Sequence, residues 1–144
     1  MWGTECRLLV VEDNSADVQF LRRALHEDGL SAQIDVARDG EQALEYLDRC
    51  SEDQCPDLVI IDVNLPRRDG MEVLRKCRFS PVLAETKTLV LTSSDDPNDH
   101  LRADTLGADS YLRKPRELGD FATIVKTIRS LLQGCLREGA QGGG

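Results

Sequence analysis

"DLVIIDVNLPRRDG", residues 57–70, decides the fold. Leu58, Val59, Ile60 and Ile61 are apolar without interruption, the pattern of a short strand covered on both faces. The run ends in a carboxylate, Asp62. Asn64, Pro66 and the Asp69-Gly70 pair then break the strand and lead the chain into another element. A buried strand that delivers an aspartate to its carboxyl end fixes a charged group at the rim of a sheet.

Two other runs share this character, "LLVV" at 8–11 and "TLVL" at 88–91, whereas "QIDVA" at 33–37 and "SYLRK" at 110–114 alternate in polarity. Strands are therefore predicted at 7–12, 33–37, 58–62, 88–92 and 110–113. Helical periodicity fills the gaps. Residues 15–28 carry Val18, Leu21 and Leu25 on one side. Residues 39–49 open with Asp39-x-x-Gln42, a capping pattern. Residues 72–79 offer Val73, Leu74 and Cys77. Residues 97–106 have Asp96 as cap, Pro97 in the first turn and Gly107 as the stop. Residues 116–136 place Phe121, Ile124, Val125, Ile128, Leu131 and Leu132 on one stripe.

Strand–helix alternation of this kind specifies an α/β fold with a doubly wound parallel sheet. The apolar runs belong at the centre and the alternating ones at the edges. With right-handed crossovers the five strands take the order 2-1-3-4-5, a flavodoxin-like (βα)5 arrangement. One domain is expected over residues 6–136, with flexible termini at 1–5 and at the Gly-rich 137–144.

Composition narrows the function. The formal net charge of −8 argues against nucleic acid as a partner and favours a cation or a basic protein. No apolar run approaches the ~20 residues of a membrane helix, and no signal peptide opens the chain, so no membrane partner and a cytoplasmic location are expected. The five cysteines, Cys6, Cys50, Cys55, Cys77 and Cys135, form no C-x-x-C pair and are read as reduced thiols.

In open α/β sheets, ligands bind beyond the carboxyl ends of the strands where the winding reverses, here between strands one and three. Strand one ends in Glu12 and Asp13, strand three in Asp62. Three carboxylates brought together call for a proton or a cation. An all-oxygen donor set without imidazole or thiolate favours Mg2+. Strand four ends in Thr92, with Ser93 and Ser94 after it, and strand five runs into Lys114-Pro115. Carboxylates, a hard cation, a hydroxyl and an ammonium suit phosphoryl transfer to a carboxylate, with Asp62 as acceptor.

The motifs "VVEDN", "DLVIIDVNLPRRDG", "VLTSSDD" and "GADSYLRKP" together resemble the response-regulator receiver domain of two-component phosphorelay signalling, over roughly residues 6–135. "VEDNSADV", "NLPRRDG" and "SSDDPND" further resemble the small stand-alone receivers that work with phytochrome-type sensors. The resemblance implies a phosphoacceptor signalling protein rather than an enzyme. Asp62 would take a phosphoryl group from a sensor histidine kinase. Glu12, Asp13, Asp62 and the backbone carbonyl of Asn64 would hold Mg2+. Lys114 and Thr92 would contact the phosphoryl oxygens, and Tyr111 would rotate inward as the second switch residue. The Lys114–Pro115 peptide would be cis. Asn64 and Ser94 would tune dephosphorylation.

The output is expected as a change of the helix 4–strand 5–helix 5 face, toward a downstream protein or a second copy of the chain. In the latter case acidic Asp99 and Asp104 of helix four would face Arg116, Lys126 and Arg129 of helix five across a homodimer. Helix four carries few large apolar residues and is expected to move. The competing readings are a phosphorylation-independent scaffold, a haloacid-dehalogenase-like phosphatase and a flavodoxin-like electron carrier. The phosphatase needs a second aspartate where this chain has Asn64. The electron carrier would meet carboxylates where flavin phosphate binds.

Overall fold

The computed structural model describes residues 6–65, 69–115 and 121–134. Pro66, the first turn expected for the last helix with Arg116, Cys135 and both termini lie outside the described residues. Five strands alternate with five helices: β1 (Cys6–Val11), α1 (Ser15–Glu27), β2 (Ala32–Ala37), α2 (Gly40–Asp48), β3 (Leu58–Ile61), α3 (Gly70–Phe79), β4 (Lys87–Thr92), α4 (Pro97–Thr105), β5 (Ser110–Arg113) and α5 (Phe121–Leu131). The sheet is parallel in the order β2-β1-β3-β4-β5. The all-apolar strands are the central ones and the alternating strands are the edges, because only a central strand is covered on both faces.

Alternate residues of the central strands feed two cores. On one face Leu8, Val10, Leu58, Ile60, Leu89 and Leu91 pack with Leu21 and Leu25 of α1 and Ile124 and Ile128 of α5. On the other, Leu9, Val11, Val59, Ile61 and Val90 pack with Ala43, Leu74 and Ala103 of α2, α3 and α4. Helix starts follow from side-chain caps. Asn14 accepts from the Ala16 and Asp17 amides, Asp39 from Gln42, and Asp96 from Asn98. Gly107 ends the α4 segment in the left-handed region at φ 82°, where a side chain would be strained.

Cysteine chemistry departs from expectation at one position. Cys50, Cys55 and Cys77 are free thiols, but Cys6 is disulfide-bonded. Sequence spacing carries no information about which sulfurs meet in space. No helix among the described residues is long and apolar enough to cross a membrane.

Gly70 fixes where α3 leaves the sheet. A Cβ added there would overlap the Asp62 carbonyl oxygen and come within 2.9 Å of Val63 Cα and 3.0 Å of Ile61 Cγ2. The obstacle is mostly backbone, so no rotamer change relieves it. Gly70→Ala is expected to lower stability by about 1–3 kcal/mol, read as a lower urea midpoint with unchanged slope.

Candidate functional site

Glu12, Asp62 and Lys114 each sit just past a strand, and each amide is anchored by a neighbouring strand. Glu12 donates to the Ala37 carbonyl at 2.9 Å, Asp62 to Val11 at 3.1 Å and Lys114 to Thr92 at 2.8 Å. The sheet's hydrogen-bond ladder thus continues one residue beyond its apolar part and sets the backbone positions of the charged residues. The parallel register places Val11 opposite Ile61, so Glu12 and Asp62 emerge side by side.

The carboxylate oxygens of Glu12, Asp13 and Asp62 lie within 4.8 Å of one another, with Glu12 and Asp62 buried and Asp13 exposed. At an effective dielectric of about 20, two unit charges this close repel by roughly 3 kcal/mol or more. Lys114 offsets part of this. Its Nζ lies 2.6 Å from Glu12 Oε1, 2.8 Å from Asp17 Oδ2 and 2.9 Å from Asp62 Oδ2. Asp62, only 5% exposed, is held from a second side as well. Its Oδ1 accepts from Thr92 Oγ1 at 2.9 Å and from the Asn64 amide at 2.9 Å. Thr92 is fully buried, and its Oγ1 accepts in turn from the Ser94 amide at 3.2 Å.

Proton affinities follow this geometry. Burial pushes the Glu12 carboxyl up, the Lys114 hydrogen bond pulls it down, and Asp62 pushes it up again; the outcome is about 7. Burial lowers Lys114, but hydrogen bonds to Asp17, Asp62 and Glu12 outweigh it and keep the ammonium firmly charged. Three oxygen donors with one open, solvated side fit a hard divalent cation that retains water, and they do not fit a soft metal.

The cup brings together Glu12, Asp13, Asp62, Thr92 and Lys114 as expected from the sequence, and adds Asp17, which sequence reasoning missed. Asn64 lies at the rim, exposed, with its amide turned to Asp62. Ser94 behaves differently: its hydroxyl donates to Asp99 Oδ2 at 2.6 Å and so faces the start of α4. Tyr111 is half-buried under α4. The Lys114–Pro115 bond is not cis, contrary to the resemblance, since no cis peptide occurs among the described residues. Trans is the preferred isomer by about 0.5–1 kcal/mol, and Lys114 reaches Glu12, Asp17 and Asp62 without leaving it. The charge pairing expected for a homodimer also needs correction. Lys126 and Arg129 line the groove between α5 and α1, and Arg129 donates to Asp28 Oδ2 at 2.6 Å within the chain.

Residues 8–126 match the response regulator receiver domain family. The transcriptional regulatory protein TrcR of Mycobacterium tuberculosis is 37% identical over 131 residues, a match covering 91% of this chain and 47% of TrcR. The response regulator Rcp1 of Synechocystis is 32% identical over 126 residues, covering 85% of this chain and 86% of Rcp1. The Mn2+-bound crystal form of Rcp1 superposes with a TM-score of 0.77 at 32% identity, over 87% of this chain and 92% of that one. The phosphorylated cyanobacterial phytochrome response regulator RcpA superposes with a TM-score of 0.79 at 32% identity, over 88% of this chain and 92% of that one. With the acidic cup at the switch point of a 2-1-3-4-5 sheet, these matches define the chain as a member of the response regulator receiver domain family of two-component systems.

The raised Glu12 carboxyl makes a prediction for the metal-free protein. A carboxyl held protonated in the folded state favours folding at low pH, and that advantage is lost as pH rises from the ordinary value of 4.5 through about 7. Glu12→Gln removes the titration. Urea unfolding with chelator present should show the variant gaining on the wild type by up to roughly 3 kcal/mol between pH 4.5 and pH 8.

Proposed function

We propose that this chain is a phosphoacceptor response regulator in which Asp62 receives a phosphoryl group from the phosphohistidine of a sensor kinase. One observation carries the reading: Asp62, buried at the switch point, already takes hydrogen bonds from Lys114 Nζ and Thr92 Oγ1 while two further carboxylates converge beside it. An Asp62 carboxylate oxygen attacks phosphorus as the P–N bond to imidazole breaks, and the histidine leaves. Glu12, Asp13 and Asp62, with the Asn64 carbonyl, would hold Mg2+, which when bound neutralises charge on the phosphoryl oxygens.

Forming the acyl phosphate removes the negative charge from the carboxylate and adds a phosphoryl group with more charge and more acceptors. The Lys114 ammonium, held among three carboxylates, is placed to turn to those acceptors. Thr92 gives up its bond to Asp62 and follows the phosphoryl group, and Tyr111 moves toward the space Thr92 leaves. Interactions made only in the phosphorylated state are what shift a two-state equilibrium. Asn64 at the rim has access to the path of hydrolytic water, while Ser94 acts through its bond to Asp99.

The 32% identity to the cyanobacterial phytochrome response regulator RcpA supports a phytochrome-type kinase as the phosphoryl donor. A homodimer through α4, β5 and α5 remains part of the reading, with Leu101 of α4, 65% exposed, as its apolar contact in place of Lys126 and Arg129.

Incubation with Mg2+ and acetyl phosphate, followed by intact mass, tests the central step. One phosphoryl adduct is expected on the wild type, none on Asp62→Asn, and a strongly reduced yield on Asp13→Asn. An adduct that persists in Asp62→Asn would move the acceptor elsewhere. No adduct on any form, with no binding of the phosphoryl mimic beryllofluoride, would make the chain a scaffold.

A further inference from the structure

Helix α4 is lightly held to the sheet. Ala103 is its one buried residue. The helix meets β5 through a ring stack. The imidazole of His100 and the ring of Tyr111 have centroids 4.3 Å apart and planes inclined by 8°. His100 is exposed on its other side, with Nε2 3.9 Å from Asp104 Oδ2.

The sheet register ties this stack to the site. Tyr111 lies opposite Val90, and Arg113 opposite Thr92. Side chains two apart on a strand share a face, so Val90, Thr92 and Tyr111 all point toward α4. Tyr111 and Thr92 are then diagonal cross-strand neighbours, within reach of an aromatic ring. Tyr111 sits under His100, and a position nearer Thr92 would lie on the same face.

We propose that His100 is a positioning residue for the switch: its ring holds Tyr111 against α4, and the strength of that stack sets how readily Tyr111 follows Thr92. The inference rests on the phosphoacceptor reading above. An offset aromatic pair favours its stacked state by a modest factor, enough to bias an equilibrium and small enough to be overridden. Removing the ring should free Tyr111 and favour the phosphorylated-like state.

The chain has two tyrosines, so Tyr46→Phe leaves Tyr111 as the sole site for fluorotyrosine. Fluorine NMR of this protein then reads one ring, before and after addition of Mg2+ and beryllofluoride. His100→Ala should move the resonance of the free protein, through loss of the imidazole ring current, and tighten beryllofluoride binding by roughly two- to tenfold. His100→Phe, which keeps a ring in place, should bring the affinity back toward wild type. An unmoved resonance in His100→Ala would overturn the stack in solution. A moved resonance with unchanged beryllofluoride affinity would reduce it to packing and overturn the positioning role. Failure of the His100-containing protein to bind beryllofluoride would instead remove the phosphoacceptor reading, and the inference with it.

Discussion

One ammonium among three carboxylates organises the molecule. Lys114 joins the end of β5 to the ends of β1 and β3 and to the first turn of α1. These elements are far apart in sequence; Lys114 and Asp17 are separated by 97 positions. Only a parallel sheet, with all carboxyl ends at one edge, can bring them together without long loops. The apolar interior of β1, β3 and β4 drives that sheet. The burial that stabilises it also desolvates Glu12 and Asp62. The core therefore creates the charge problem that Lys114 partly solves, and the unresolved remainder appears as the raised affinity of Glu12 for a proton. A site that binds a proton where it could bind a cation has unfilled electrostatic capacity, and the charge of the Asp62 side chain decides how that capacity is used.

Most of this was legible in the sequence. Apolar runs against alternating runs gave the strand order, since the number of covered faces is written directly into the hydrophobic pattern. The residues just past those runs gave Glu12, Asp13, Asp62, Thr92 and Lys114. Asp17 was not legible in the same way. Three residues after the Asn14 cap, it reads as an acid suited to the helix dipole, and its contact with Lys114 depends on the angle at which α1 leaves the sheet. A signal was nevertheless present, because α1 begins at the same edge as the other site residues. The His100–Tyr111 stack is invisible to periodicity, which predicts burial and not ring orientation.

The misplacement of Lys126 and Arg129 has a different origin. The apolar stripe of α5 shows which side meets the sheet, but it does not distinguish the two polar flanks. Strand order reverses about β1, so right-handed crossovers put α1 on one face and α2, α3 and α4 on the other, while α5, which joins no further strand, packs on the α1 face. A polar flank of α5 must then border α1, and Arg129 pairs with Asp28 there. The crossover rule that gave the sheet order does not reach α5, which no strand follows, so its neighbours were not legible in the same way.

The distribution of packing explains how such a rigid cup could have a distant effect. The central strands are buried except at Arg7 and Lys87 near their starts, and Gly70 locks α3 against the end of β3. Helix α4 is held instead by polar links to the loops that carry the site. Asp99 accepts from Ser94, Arg102 pairs with Asp69 at 3.1 Å, and Arg113 of β5 pairs with Asp95. Half-exposed pairs of this kind contribute at most about 1 kcal/mol each. Their sum is comparable to the free energy that moving a single hydrogen-bonded hydroxyl, such as that of Thr92, makes available. An element anchored by a deep apolar face would not respond to a perturbation of that size. Weak anchoring by groups on the site's own loops gives α4 both a small restoring force and a direct connection to Asp62. On the proposed reading, phosphorylation of Asp62 would act on those same loops, and its effect would reach α4 before any other helix.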